Sequence, residues 1–270
     1  MNEFFSTNRY YKLLKKELTE RAPMIIKIAG IFSLLLVVYW LSMLLHLFNV
    51  YPISIVGRSS YLIFATFITM VIAPFNLYRS YNHPKKGIDY VLLPASVPEK
   101  FVSMLTNTVI ILPLITFFSI LLTDTILSTI SPSMFPGYLI NSIWSTGKLF
   151  ENVAGALIFQ QGCILGNFLF KKNKVFKTML SGAGLYIALA LILVFVLSVV
   201  FKDQFGTLHD MNVQFRMDSF FFSKSGMADG NESVAGFLKG LYNFLSVVIY
   251  VVLPAGFLTA TFFKMKTQQY

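Results

Sequence analysis

Long apolar runs alternate along the chain with short polar connections, and the runs have membrane length. They cover Met24–Phe48, Ser59–Tyr78, Phe101–Leu122, Val153–Phe170, Thr178–Phe201 and Leu241–Phe263. A hydrocarbon core of about 30 Å needs about 20 apolar residues in a helix that rises about 1.5 Å per residue. Inside lipid the backbone must satisfy its own hydrogen bonds, which a helix does. The pattern therefore predicts an all-α polytopic membrane domain of six spans covering residues 1–270. The fourth run is the shortest and most polar, with Gln160, Gln161 and Asn167. The first is too long for a signal-peptide core and has no small-residue cleavage site after it, so it reads as a span.

Composition agrees with the pattern. Charged residues make up 13% and hydrophobic ones 56% of the chain, against about a quarter charged in soluble domains. Charge then orients the bundle. Six spans put both ends and the connections 79–100 and 171–177 on one side. Sixteen of the 22 Lys and Arg residues fall there, counting Lys27 at the edge of the first span. On the other side stand Arg58, Lys148, Lys202, Arg216, Lys224 and Lys239. By the positive-inside rule the richer side is cytoplasmic. The net charge of +10 reads as an orientation signal and an attraction to anionic headgroups. It is not a nucleic-acid footprint, because the cations are spread over four short segments.

Candidate chemistry is sparse. The lone Cys163 lies in an apolar run and the three histidines lack ligand spacing, so neither a disulfide framework nor a metal site is expected. The Gly-Lys pair in IWSTGKLF fails as a phosphate loop, with Ser142 at the first glycine position and Leu149 after Lys148. No catalytic constellation and no cofactor motif is present. Within the spans Lys27 is the only ionisable residue apart from His46 near the far edge, and Asp124 lies just beyond the third. Ion-coupled transporters usually keep such a group at depth, so an outside energy source is expected. A sodium site of backbone carbonyls at helices broken by Pro113 or Pro254 is the alternative.

Two segments on the cytoplasmic side carry design. In residues 8–22, Tyr10, Tyr11, Leu13, Leu14 and Leu18 share one sector, and Lys12, Lys15, Lys16 and Glu20 the opposite one. Glu17 and Arg21 have the spacing of a helical ion pair, and Pro23 marks a break. This predicts an amphipathic helix lying in the headgroup plane. The second segment is DYVLLPASVPEKF, residues 89–101. Ser96 with Glu99 forms a capping box, and Pro98 suits a first turn. Upstream, the apolar patch Tyr90, Val91, Leu92, Leu93 and Pro94 reads either as a tidy loop or as a docking element for a soluble partner.

The phrases LLPASVPEKF (Leu92–Phe101) and FLFKKNKVFKT (Phe168–Thr178), with the topology around them, resemble ABC-transporter permeases of the type-two exporter class found in Bacteroidota. That resemblance implies an elbow helix at 8–22 and a coupling helix near Lys85–Lys100, which a soluble ATP-binding subunit would hold. The docking residues would be Tyr90, Val91, Leu92, Leu93, Pro94, Ser96, Glu99 and Lys100. It further implies a dimer of permeases with two ATPase subunits in the bacterial inner membrane, hydrolysis residing in the partner, and short outer helices within 202–240. A non-transporting membrane scaffold is the rival function.

Packing signals fall on spans four and five. Gly162 with Gly166, and Gly182 with Gly184, predict close helix approach. Gln160, Gln161 and Asn167 read as interhelical glue or as the lining of a path.

Overall fold

The apolar runs become helices in the computed structural model, which describes residues 5–45, 52–81, 90, 92–143, 149–199, 240 and 243–267. The helices are α1 (Thr7–Leu44), α2 (Ile55–Leu77), α3 (Val97–Ile130), the short α4 (Leu139–Ile143), α5 (Leu149–Leu169), α6 (Lys174–Val199) and α7 (Asn243–Thr267). Five of them, α1, α2, α3, α6 and α7, are long and apolar enough to cross a membrane; the apolar part of α5, Gly155–Leu169, is shorter. The chain is a multi-pass membrane protein with an all-α fold. The predicted outer connection 202–240 lies outside the described residues, save its last position.

The first expectation to fail is the break at Pro23. α1 runs through it as one 38-residue helix, so residues 8–22 do not form a separate element. A proline in a helix interior costs about 3 kcal/mol, and neighbouring contacts offset that cost. α1 and α3 climb side by side: Ser6 and Arg9 meet Glu99, Tyr10 meets Thr106, Ser33 meets Ser119 at 2.7 Å, and Trp40 Nε1 donates to Ser131 Oγ at 3.0 Å. At about 1.5 Å per residue both helices exceed 50 Å, so each must extend past a core of about 30 Å. The amphipathic sectors are real, but α1 turns its apolar side toward protein. Leu13 is buried, Tyr10, Leu14 and Leu18 are half-buried, and Lys12, Lys15, Lys16 and Glu20 stay exposed. Tyr11 alone of that sector faces outward.

Two larger apolar clusters divide the bundle lengthwise, with a third, smaller one at Val71, Phe75 and Cys163. One joins Ile25, Tyr78, Tyr81, Met104, Phe168 and Met265, with Leu18 and Tyr90 against it. The helix ends that the charge pattern assigns to a single side therefore meet in one cluster. The other cluster joins Leu36, Leu62, Ile120, Leu127, Phe135 and Leu139.

Prolines shape two of the helices. α3 contains a π-turn at Thr106–Ile111, just before Pro113, and α7 contains one at Val248–Val252, just before Pro254. Neither helix is interrupted, so the candidate breaks are local widenings.

The predicted glycine contact between spans four and five is half right. A Cβ on Gly166 would strike Thr178 of α6, whereas Gly182 and Gly184 have open space around them. A Cβ on Gly162 would instead lie 3.4 Å from the Phe257 ring of α7.

Candidate functional site

The capped segment before α3 is the centre of one end of the bundle. Ser96 holds the extended N-cap conformation, and its amide donates to Glu99 Oε2 at 2.8 Å, the Glu99 half of the predicted capping box; the Ser96 hydroxyl has no partner among the described residues. The other oxygen of Glu99 reaches a second helix start. Oε1 accepts from the Ser6 amide at 2.6 Å and from Arg9 Nε and Nη2 at 3.1 and 3.0 Å. One buried carboxylate thus serves the first amides of both α1 and α3, where helix dipoles favour negative charge. Capping signals were legible at Ser96; the reach to Ser6 and Arg9 is tertiary and was not.

Tyr90, Leu92, Leu93 and Pro94 divide into anchor and tip, while Val91 lies outside the described residues. Tyr90 is half-buried, with its ring edge-on to Tyr81 at 4.8 Å and to Tyr78 at 6.2 Å, and its hydroxyl turned to the Lys100 carbonyl at 3.4 Å. Burial, with the Glu17 charge adding to it, pushes the Tyr90 phenol well above its ordinary value; burial does the same to Tyr81. Leu93 is half-buried. Leu92, 73% exposed, and Pro94 face outward and are what this segment presents. Glu99 and Lys100 are buried, so neither offers its side chain to a partner.

Below this cap sits a polar cluster that the sequence reading missed. Glu17 is buried, and its Oε2 accepts from Tyr78 OH at 2.7 Å, Ser103 Oγ at 2.8 Å and Asn107 Nδ2 at 2.8 Å. Arg21 does not pair with Glu17 as its spacing predicts. Its guanidinium lies 3.7 Å above the Tyr78 ring and donates to the Leu77 carbonyl. Glu17 could have been found: at 100° per residue it falls between Leu13 and Leu14, in the middle of the apolar sector.

A second missed pair ties the opposite end. Arg58, placed by the sequence in an outer connection, lies inside α2 with its side chain buried, and Asp124 is buried within α3. Their Nη1–Oδ1 distance is 2.8 Å, and Arg58 also donates to Ser128 Oγ and the carbonyls of Pro136 and Gly137. The statement that the spans hold no ionisable residue beyond Lys27 and His46 is therefore corrected. A charge ends an apolar run in the sequence but not the helix that carries it, and α2 and α3 enclose both residues.

The polar residues of α5 mostly bond to backbone. Asn167 Nδ2 donates to the carbonyls of Pro74 at 2.9 Å and Tyr78 at 3.2 Å, at the end of α2. Gln160 Nε2 donates to the Thr108 carbonyl at 2.7 Å. In the π-turn the Leu112 amide serves Asn107, so the next carbonyl, Thr108, would face the amide that Pro113 lacks. Gln160 supplies the missing donor. Gln161, also buried, has no partner for its Oε1 among the described residues. Gln160 and Asn167 thus hold helices together.

Comparison with known protein families, curated proteins and solved structures finds no match. Among the described residues no three metal-ligating side chains gather. The site must be read from its own geometry, and that geometry is a braced cap with an exposed apolar tip.

Proposed function

We propose that this chain is the membrane-spanning subunit of an ATP-driven exporter in the bacterial inner membrane, driven by separate soluble ATP-binding subunits. The observation that carries the reading is the braced cap. Glu99 ties the start of α1 to that of α3, and Tyr90 anchors the segment that carries Leu92 and Pro94 at the cation-rich end. A push on such a tip would pass into α1 and α3 together, because the two helices share Glu99 and Glu17. Two permeases with two ATPases would then alternate access as the ATPases close.

The test is co-purification with a soluble ATPase encoded beside this chain. Leu92→Glu changes an exposed residue, so its effect on stability should stay within about 0.5 kcal/mol. Loss of the ATPase with Leu92→Glu, with the fold intact, is the expected result. An unchanged complex would count against docking here, and a complex whose ATPase rate ignores this chain would favour the scaffold role.

One observation favours a second reading, an ion-coupled transporter: the carboxylate of Glu17 is buried, and such groups often bind the coupling ion. Proteoliposomes separate the two readings. Transport on a proton or sodium gradient without nucleotide would support this second one, and transport only with ATP and the ATPase subunit the first.

A further inference from the structure

Where α2 ends and α6 begins, Phe75, Asn76, Arg79, Asn173, Lys174, Val175 and Phe176 line an open cleft of about 420 Å³. Its two charges are both positive. The Lys174 ammonium is held beside Arg79, donating to the Arg79 carbonyl at 2.9 Å and to Asn167 Oδ1 at 3.0 Å. Two of its protons are engaged and a third is available, since an ammonium carries three. The lining contains no carboxylate, and among the described residues Arg79 forms no ion pair. Two cations packed together without an acid repel each other, and an anion between them would relieve that.

The walls say which anion. Phe176 and Val175 are 68% and 50% exposed, and the apolar surface continues along α6 through Leu180, 62% exposed. A ligand that suits the cleft needs an anionic head and a long apolar tail that can follow α6 into the bilayer. Exposed Lys171, Lys172 and Lys177 surround it, adding long-range attraction without shaping the cleft.

We propose that this cleft binds the phosphate headgroup of an anionic phospholipid, with Arg79 and Lys174 on the phosphate and the acyl chains along α6. The guanidinium fork offers two parallel donors to phosphate oxygens, and the ammonium a point charge. Asn76 and Asn173 stand beside them to bond glycerol or headgroup hydroxyls. Bound there, the lipid would fill the gap between α2 and α6, where Asn167 and Lys174 supply the polar links.

The experiment compares nanodiscs of phosphatidylcholine with nanodiscs that also contain phosphatidylglycerol, whose headgroup makes the surface anionic. Retention of phosphatidylglycerol after delipidation is read by mass spectrometry for wild type, Arg79→Gln and a Lys171→Gln/Lys172→Gln control. Losing a charge-assisted bond to a phosphate lowers affinity about tenfold. In high salt, which screens the diffuse attraction of exposed lysines, Arg79→Gln should therefore lower retention about tenfold, and the control should lose much less. Equal losses in both would overturn the site in favour of diffuse surface attraction, as would no preference for phosphatidylglycerol in wild type. If inorganic phosphate at millimolar concentration displaces the lipid completely, the cleft is a free-phosphate site and the lipid assignment fails. A second readout does not depend on removing a cation: with Trp40 and Trp144 replaced by Phe, Phe176→Trp fluorescence should be quenched more by brominated phosphatidylglycerol than by brominated phosphatidylcholine. Equal quenching would also overturn the proposal.

Discussion

The α1–α3 side of the bundle and the α6–α7 side follow opposite rules. Along α1, α2 and α3, buried polar groups tie helix to helix: Glu99 to Ser6 and Arg9, Glu17 to Tyr78, Ser103 and Asn107, Arg58 to Asp124. Half of the apolar window of α2 is buried, but only 6% of those of α6 and α7. From Leu185 to Phe195, α6 carries no charged residue at all. A polar group inside a membrane is tolerated where a neighbouring helix meets it, and apolar side chains gain nothing by leaving lipid for protein. The polar network therefore marks which helices hold each other, and the smooth face of α6 is one that lipid or a second copy can cover.

If that contrast is right, the largest loss follows from breaking the Arg58–Asp124 pair. Both side chains are 1% exposed. Asp124→Ala would leave a buried guanidinium with only neutral acceptors, which typically costs about 3–5 kcal/mol. The thermal midpoint in detergent should fall sharply, while Arg58→Met with Asp124→Leu should recover most of the loss. A midpoint unchanged by Asp124→Ala would mean that the pair is open to water.

A smaller effect probes the link between α5 and α3. Gln160→Leu removes the donor from the buried Thr108 carbonyl, and a buried orphan acceptor costs about 1–3 kcal/mol. The π-turn account makes a sharper demand through a double variant. Pro113→Ala restores a backbone amide in register with Thr108, so Gln160→Leu should cost less in that background. Chemical denaturation of the four forms gives the coupling, and strict additivity would show that Gln160 and Pro113 do not act on the same carbonyl.

The sequence made the helices legible because apolar runs of membrane length have few alternatives. It also made the cap legible, since Ser96, Pro98 and Glu99 act within one turn. Glu17, Arg58 and Asp124 were misread for a different reason. Each is a charge whose partner lies 61 or more residues away, and a local reading sends a lone charge to the surface. Their positions still carried a trace: Glu17 in an apolar sector, and Arg58 and Asp124 of opposite sign on the same predicted side. The continuity of α1 left no such trace, because Pro23 argues for a break and the bonds that tie α1 to α2 and α3 on both sides of it join residues far apart in the chain.

Glycine substitution tests the contrast with the smallest changes. A methyl group at Gly166 must displace Thr178, whose hydroxyl is held by the Lys174 carbonyl at 2.7 Å. Overpacking of that kind costs about 1–3 kcal/mol, so Gly166→Ala should lower the denaturation midpoint. Gly182 sits on the same helix as Thr178 and meets nothing within 4 Å. There Ala adds helix propensity without a clash, for a gain of about 0.5–1 kcal/mol. Opposite signs from two chemically identical changes would locate the protein-facing side of the α5–α6 pair. A loss at Gly182 equal to that at Gly166 would instead mean that α6 has a neighbour there, and because the open face of the chain is then covered by protein, crosslinking through Gly182→Cys should trap a second copy.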